Sequence, residues 1–188
     1  HMHKELEEKI ENRLPKQSKE EVGKIKEFVV DAIEFNKSHN IFVRELAEEV
    51  FEKDILDCMP LIEKIKDNEK ILDMGSGGGF PGLLIAILRP NCEIHLLEKS
   101  QKKCYFLNKT IHKLGLLNAK TLNINIKPNN KIGAYNLITS RAFSSTENTL
   151  NLSKTNLEIG GRYILLKGRE EKITEELKSL DTNKYKYE

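Results

Sequence analysis

The chain of 188 residues predicts an α/β fold, a doubly wound parallel sheet behind an N-terminal helical cap. Three observations carry this expectation. The first third keeps helical spacing of its apolar residues, with no strand pattern. At Lys70 the pattern switches to a short apolar strand, a glycine run and an apolar helix, and that alternation then repeats towards the C-terminus. A length of this order suits one compact unit, and 38% hydrophobic residues suffice for a core. Residues 3–66 are read as the cap and 67–188 as the α/β domain, packed as one unit.

In the cap, Val22, Ile25, Phe28, Val29, Ala32, Ile33 and Phe35 recur at helical spacing. Val43, Leu46, Ala47, Val50 and Phe51 do so next, then Ile55, Met59, Ile62 and Ile65. Ile71 to Met74 reads as the first strand, and Pro81 to Leu88 as a helix stopped by Pro90. Glu93 to Leu97 is the second strand. Ser100 then caps a helix carrying Leu107, Ile111 and Leu114, which Gly115 ends. Further strands are expected over about 120–126, 135–139 and 162–166, the last following a Gly160-Gly161 turn. Helices are expected around 146–157 and 170–180. Lys184 to Tyr187 is expected to be a sixth strand, with no sequence left for a seventh. In such sheets ligands sit beyond the carboxyl ends of the strands, which directs attention to the residues after Met74, Leu97, Ile126, Thr139 and Leu166.

Lys and Arg number 31 against 29 Asp and Glu, but they are segregated. Residues 99–146 contain no acid, while Lys99, Lys102, Lys103, Lys109, Lys113, Lys120, Lys127, Lys131 and Arg141 supply nine cations. That asymmetry points to a polyanionic partner. Cys58, Cys92 and Cys104 are odd in number and lack C-x-x-C spacing, so neither a disulfide framework nor a zinc site is indicated. His39, His95 and His112 share no metal-ligand spacing, and no metal is expected. No apolar run approaches the roughly 18 residues of a membrane span, so the expectation is a cytosolic protein with no membrane partner.

The chemistry is expected at the loop Asp73-Met74-Gly75-Ser76-Gly77-Gly78-Gly79-Phe80-Pro81-Gly82. Gly77, Gly79 and Gly82 satisfy G-x-G-x-x-G, a weak indication of a dinucleotide. A carboxylate at Asp73 would repel a pyrophosphate and suits the ammonium and sulfonium of S-adenosylmethionine. Glu98, ending the second strand, can accept both hydroxyls of an adenosine ribose in either cofactor. Asp73, the glycines and Glu98 together favour S-adenosylmethionine. An NAD-type oxidoreductase and a non-catalytic RNA-binding module are the alternatives. Thr139-Ser140-Arg141-Ala142-Phe143 stands where amine methylation commonly employs an Asn/Asp-Pro-Pro-aromatic loop, and no cysteine lies at a strand end for carbon-5 chemistry. A nucleophile with its own lone pair, such as guanine N7, needs only positioning.

Several stretches together resemble the bacterial glucose-inhibited division protein B family: Phe35-Asn36-Lys37-Ser38-His39-Asn40, Asp54-Ile55-Leu56-Asp57, the loop from Asp73 to Gly82, and Arg89-Pro90. Leu97-Glu98-Lys99-Ser100-Gln101-Lys102-Lys103 with Phe106-Leu107, Ser140-Arg141-Ala142-Phe143 and Leu166-Lys167-Gly168 extend the likeness over about residues 20–170. The resemblance implies a Rossmann-like fold and methylation of guanine N7 in 16S ribosomal RNA from S-adenosylmethionine. It implies cofactor contacts at Gly75, Phe80, Ile126, Lys127 and Arg141, beside the residue-based candidates Asp73, Ser76, Gly77, Gly79 and Glu98. Arg141 either holds the cofactor carboxylate or bonds guanine O6, and Lys167 joins it as a positioning residue without a general base. Asn36 and Lys37 of the cap and Lys102, Lys103, Lys109 and Lys113 are the RNA-binding candidates. The expected partner is 16S rRNA or the small ribosomal subunit, bound by a monomer.

Overall fold

The computed structural model describes residues 3–41, 43–141 and 143–166, together with the backbone of 174–181 and 184–187. Five parallel strands form the sheet's body: β1 Lys70–Met74, β2 Glu93–Leu97, β3 Ala119–Leu122, β4 Tyr135–Arg141 and β5 Leu157–Leu166. Strands β6 Thr174–Asp181 and β7 Lys184–Tyr187 extend it antiparallel, in the order β3-β2-β1-β4-β5-β6-β7. The chain moves outwards one way from β1 and the other way from β4. Their carboxyl ends therefore flank the switch point at which open sheets of this class bind ligands.

The cap consists of α1 Lys4–Arg13, α2 Lys19–His39, a short α3 Ala47–Glu49, a π-helical turn Val50–Ile55 and α4 Leu56–Glu63. Ser18 starts α2 by accepting from Glu21 N while Glu21 accepts from Ser18 N, and Asn40 ends it in the left-handed conformation. Helix α1 lies ahead of the first apolar stripe that the sequence predicts, which begins at Val22. Helix α5 Gly82–Leu88 is apolar all round because all seven residues are buried between cap and sheet. One apolar cluster runs from Leu6 and Ile10 through Phe28, Phe51 and Leu84 to Ile94 and Leu137. Burying each such large side chain contributes roughly 1.5–3 kcal/mol, so cap and sheet share the core on which the site rests. A smaller cluster, including Met74, Leu97, Ile126 and Tyr163, fills the opposite face beneath α7 Thr146–Ser153.

Helix α6 Gln101–Leu114 has the expected ends: the Ser100 hydroxyl accepts from Lys103 N, and Gly115 adopts positive φ. Four expectations need correction. The predicted helix over 170–180 is strand β6 from Thr174. Leu177 and Leu180, three residues apart, fit a helical stripe, but the ladder on Arg162–Leu166 of β5 takes this segment instead. Lys184–Tyr187 is consequently the seventh strand, not a sixth. Strand β3 stops at Leu122 rather than 126, since Ile124 N turns back onto Leu122 O and Pro128 follows. Strand β5 begins at Leu157 and absorbs Gly160 and Gly161 as a register shift, so α7 is shorter than predicted and closes in the turn Lys154–Asn156.

Candidate active site

The glycine loop leaves β1 and is tied down almost entirely by its own amides. Gly75 N and Ser76 N both donate to Leu97 O, at 2.8 and 3.0 Å, and Gly79 N donates to Ser76 O at 2.7 Å. Glu98 pins the other side: its Oε1 accepts from Gly77 N at 2.8 Å and its Oε2 from Ser100 N at 2.9 Å. Gly82 N donates to Asp73 Oδ2 at 3.0 Å. A Cβ at Gly82 would lie 2.1 Å from Leu96 Cδ2 and 2.5 Å from that oxygen, so only glycine lets the helix approach the carboxylate. With these five amides spent inside the protein, the loop offers them to no pyrophosphate, which disfavours a dinucleotide. Glu98 has accepted one N–H per oxygen and keeps a lone pair on each for hydroxyl donors.

Asp73 is fully buried beneath the loop rather than facing a ligand. Burial pushes its carboxyl up to about 7, against the opposing pull of the Ser76 hydroxyl and the Gly82 amide. Its Oδ1 and the hydroxyl of Thr139, its registered neighbour on β4, have no hydrogen-bond partner among the described residues. The folded value stands above the ordinary aspartate value of 3.8, so the native state holds the extra proton between about pH 4 and 7. Stability should therefore decline as pH rises through that window. Asp73→Asn removes this titration, and urea unfolding at pH 5 and pH 8 should then differ less in the variant than in the wild type. Equal differences in the two proteins would show that this carboxyl does not titrate there.

Above the loop lies a cleft of about 230 Å³, lined by Gly75, Ser76, Gly77, Gly78 and Phe80 on one side and by Val43, Arg44, Asp54 and Arg141 on the other. Arg141, at the carboxyl end of β4, sets its guanidinium 5.8 Å from the Phe80 ring centroid and donates to Asp54 Oδ1 at 2.6 Å. Phe80 in turn stacks on Phe28 of α2, centroids 5.0 Å apart. A Cβ on Gly75 would stand 2.5 Å from the Phe143 ring, which therefore lies over the loop's first turn.

Of the residues singled out in the sequence, Gly75, Ser76, Gly77, Phe80 and Arg141 meet at this cleft. Asp73, Gly79 and Glu98 shape the loop from beneath. Ile126 is buried in the second core cluster and Lys127 is exposed; neither lines the cleft. Lys167 lies outside the described residues. Arg44 was missed altogether, and Asp54 entered only as part of a motif; the ion pairs joining Asp54 to Arg44 and to Arg141 have no local sequence signature.

On α6, Lys102 and Lys109 are exposed and Lys103 is half-buried, whereas Lys113 bonds Asp31 of α2 at 2.8 Å. Lys37 pairs with Glu34 on its own helix, and Asn36 Nδ2 donates to Arg44 O at 3.0 Å, bracing the segment that carries Arg44. The three thiols are free and buried, and burial pushes that of Cys58 up to about 12, which leaves it inert. Among the described residues no group of His, Cys, Asp and Glu could hold a metal, and no helix is long and apolar enough to cross a membrane.

Known proteins resemble this chain in sequence and in fold. The family profile described as rRNA small subunit methyltransferase G matches residues 21–186. Ribosomal RNA small subunit methyltransferase G 1 of Bdellovibrio bacteriovorus is 39% identical over 80% of this chain and 72% of its own length. Ribosomal RNA small subunit methyltransferase G of Brachyspira hyodysenteriae is 36% identical over 82% and 75%. Among solved structures, a protein-L-isoaspartate O-methyltransferase homologue from Plasmodium falciparum, complexed with S-adenosyl-L-homocysteine, superposes with a TM-score of 0.54. It covers 98% of this chain and 93% of its own at 18% identity, which speaks to the fold.

Proposed function

We propose that this chain, which belongs to the rRNA small subunit methyltransferase G family, methylates N7 of a guanine in 16S ribosomal RNA. Methyl transfer from S-adenosylmethionine to ribosomal RNA is the activity of the family and of this chain. The choice of N7 is our reading, and one observation carries it: the polar side of the cleft is made by two guanidinium groups and loop backbone, and Asp54, the only carboxylate lining it among the described residues, is held by two arginines. No histidine, thiol or unpaired carboxylate among the described residues lines it to remove a proton. N7 needs none, because it brings its own lone pair.

The residues fit the cofactor on the structure's own terms. Five of the loop's amides are already spent inside the protein, Glu98 retains acceptor capacity for two hydroxyls, and the cleft beside Gly77 and Phe80 is open. When bound, S-adenosylmethionine supplies a methyl group made electrophilic by the sulfonium. In this reading Glu98 holds the ribose, the backbone from Gly75 to Gly78 and the Phe80 ring bound the cleft, and Arg141 fixes the RNA against them. Asp73 acts by shaping the loop. The protein's contribution is alignment of the reacting atoms, which can supply several kcal/mol without any proton transfer.

The acid-free segment then serves the RNA backbone, with Lys102, Lys103 and Lys109 on the outer side of α6 and Asn36 and Lys37 on the cap. Lys102→Gln with Lys103→Gln should weaken binding to small-subunit RNA. It should also flatten the slope of log affinity against log salt by up to about 1.8 units, using the double-helical DNA value as a guide. An identical slope would move the RNA face elsewhere. Lys113→Gln should change it less, since Asp31 already neutralises that ammonium. The small ribosomal subunit as substrate, a cytoplasmic setting and action as a monomer belong to the same reading. Incubating the protein with methyl-labelled S-adenosylmethionine and small subunits from a strain lacking this methylation tests it. Label in the small-subunit RNA is expected, and label confined to protein, or none, would overturn it.

A further inference from the structure

Arg44, Asp54 and Arg141 reach one point from three separate elements. Arg44 lies on the segment joining α2 to α3, Asp54 on the π-helical turn and Arg141 at the end of β4. The Asp54 carboxylate is nearly buried. Its Oδ2 accepts from Arg44 Nε at 3.1 Å, and its Oδ1 accepts from Arg44 Nη2 at 3.3 Å and from Arg141 Nη2 at 2.6 Å. One carboxylate thus serves two guanidinium groups whose side chains are only 12% and 18% exposed.

Each guanidinium carries five N–H donors in a planar fork. Arg44 spends Nε and Nη2, and Arg141 only Nη2, so Nη1 of both and Nε of Arg141 are without a protein acceptor among the described residues. Asp57 of α4 acts on Arg141 at longer range without hydrogen-bonding it, so the open donors rather than net charge define the demand. Partly buried donors left open on a cleft call for an oxyanion, and paired arginines suit the nonbridging oxygens of a phosphodiester. Single π-helical turns are rare and recur at functional sites, and this one delivers the carboxylate that holds both forks.

We propose that Arg44 and Arg141 form a receptor for a phosphodiester of the substrate RNA at the mouth of the cleft, with Asp54 as the residue that positions both guanidiniums. The proposal rests on the reading of this chain as a ribosomal RNA methyltransferase. The competing anion is the carboxylate of the cofactor itself, and the two sources give different results.

In the full chain, Arg44→Gln should lower affinity for small-subunit RNA at least tenfold and flatten the salt slope by about 0.7–0.9. Adenosylhomocysteine binding should stay within twofold. Arg44→Lys should recover the slope but not the full affinity, because it restores the charge without the fork. Asp54→Asn should keep RNA affinity or raise it while lowering the single-turnover rate at saturating RNA at least tenfold, a split that mere loss of folded protein would not give. The receptor is refuted if folded Arg44→Gln binds RNA with unchanged affinity and slope, or if it loses adenosylhomocysteine tenfold while keeping RNA. An unchanged rate in Asp54→Asn refutes the positioning role. A wild-type protein that binds RNA through Arg44 yet transfers no methyl group would leave the receptor standing and remove the assigned activity.

Discussion

Arg141→Lys is expected to lower single-turnover methyl transfer to small ribosomal subunits by between tenfold and about 100-fold at saturating cofactor, while the protein remains folded. The substitution keeps the positive charge, so electrostatic attraction for RNA survives. It loses the planar fork that lets one side chain bond Asp54 with Nη2 while Nε and Nη1 keep no protein acceptor among the described residues. It also loses the flat cation poised over Phe80. An ammonium on a flexible stem can satisfy Asp54 or the substrate, but does not hold a fixed plane between them. Rates measured with and without excess RNA separate alignment from affinity. A fully active, folded Arg141→Lys protein would remove the guanidinium from the reaction.

Gly77→Val is expected to weaken adenosylhomocysteine binding at least tenfold, about 1.4 kcal/mol, by isothermal titration. Gly77 has φ +54°, and a Cβ there would meet only Gly75 O, at 3.7 Å. The new side chain therefore has room in the protein and takes it from the cleft that Gly77 lines. A β-branched residue also strains this left-handed conformation, which loosens the Gly77 N–H from Glu98. Both consequences fall on the cofactor side, so RNA affinity should change little. Unchanged titration by a folded variant would place the cofactor elsewhere.

The elements that frame these residues were legible because their signals are local. Buried parallel strands read as short apolar runs, as β1 and β2 do, and Ser100 and Gly115 mark the ends of α6 by capping chemistry alone. The glycine loop was legible for the same reason, since the residue types that permit its turns are adjacent in sequence. What escaped depends on distant contacts. Strand β6 exists because β5 offers it an edge, a fact absent from its own composition. The sequence suggests that Asp73 faces a cation, but its carboxylate is buried against Gly82 N, an outcome decided by how closely α5 packs on the sheet. Arg44 stood unremarked because its partner is Asp54, and Arg141 reaches that carboxylate from 87 residues away. A π-helical turn likewise leaves no periodic trace in six residues.

Methylation of guanine N7 by alignment, without a general base, is tested by locating the product in the RNA. Small subunits from a strain lacking this modification would be methylated by the wild-type protein, and the extracted RNA treated with borohydride and then aniline, which cleaves the chain at N7-methylguanosine. Cleavage at a single guanine of the small-subunit RNA, dependent on protein and S-adenosylmethionine, is the predicted result; methylated RNA that resists cleavage would contradict it.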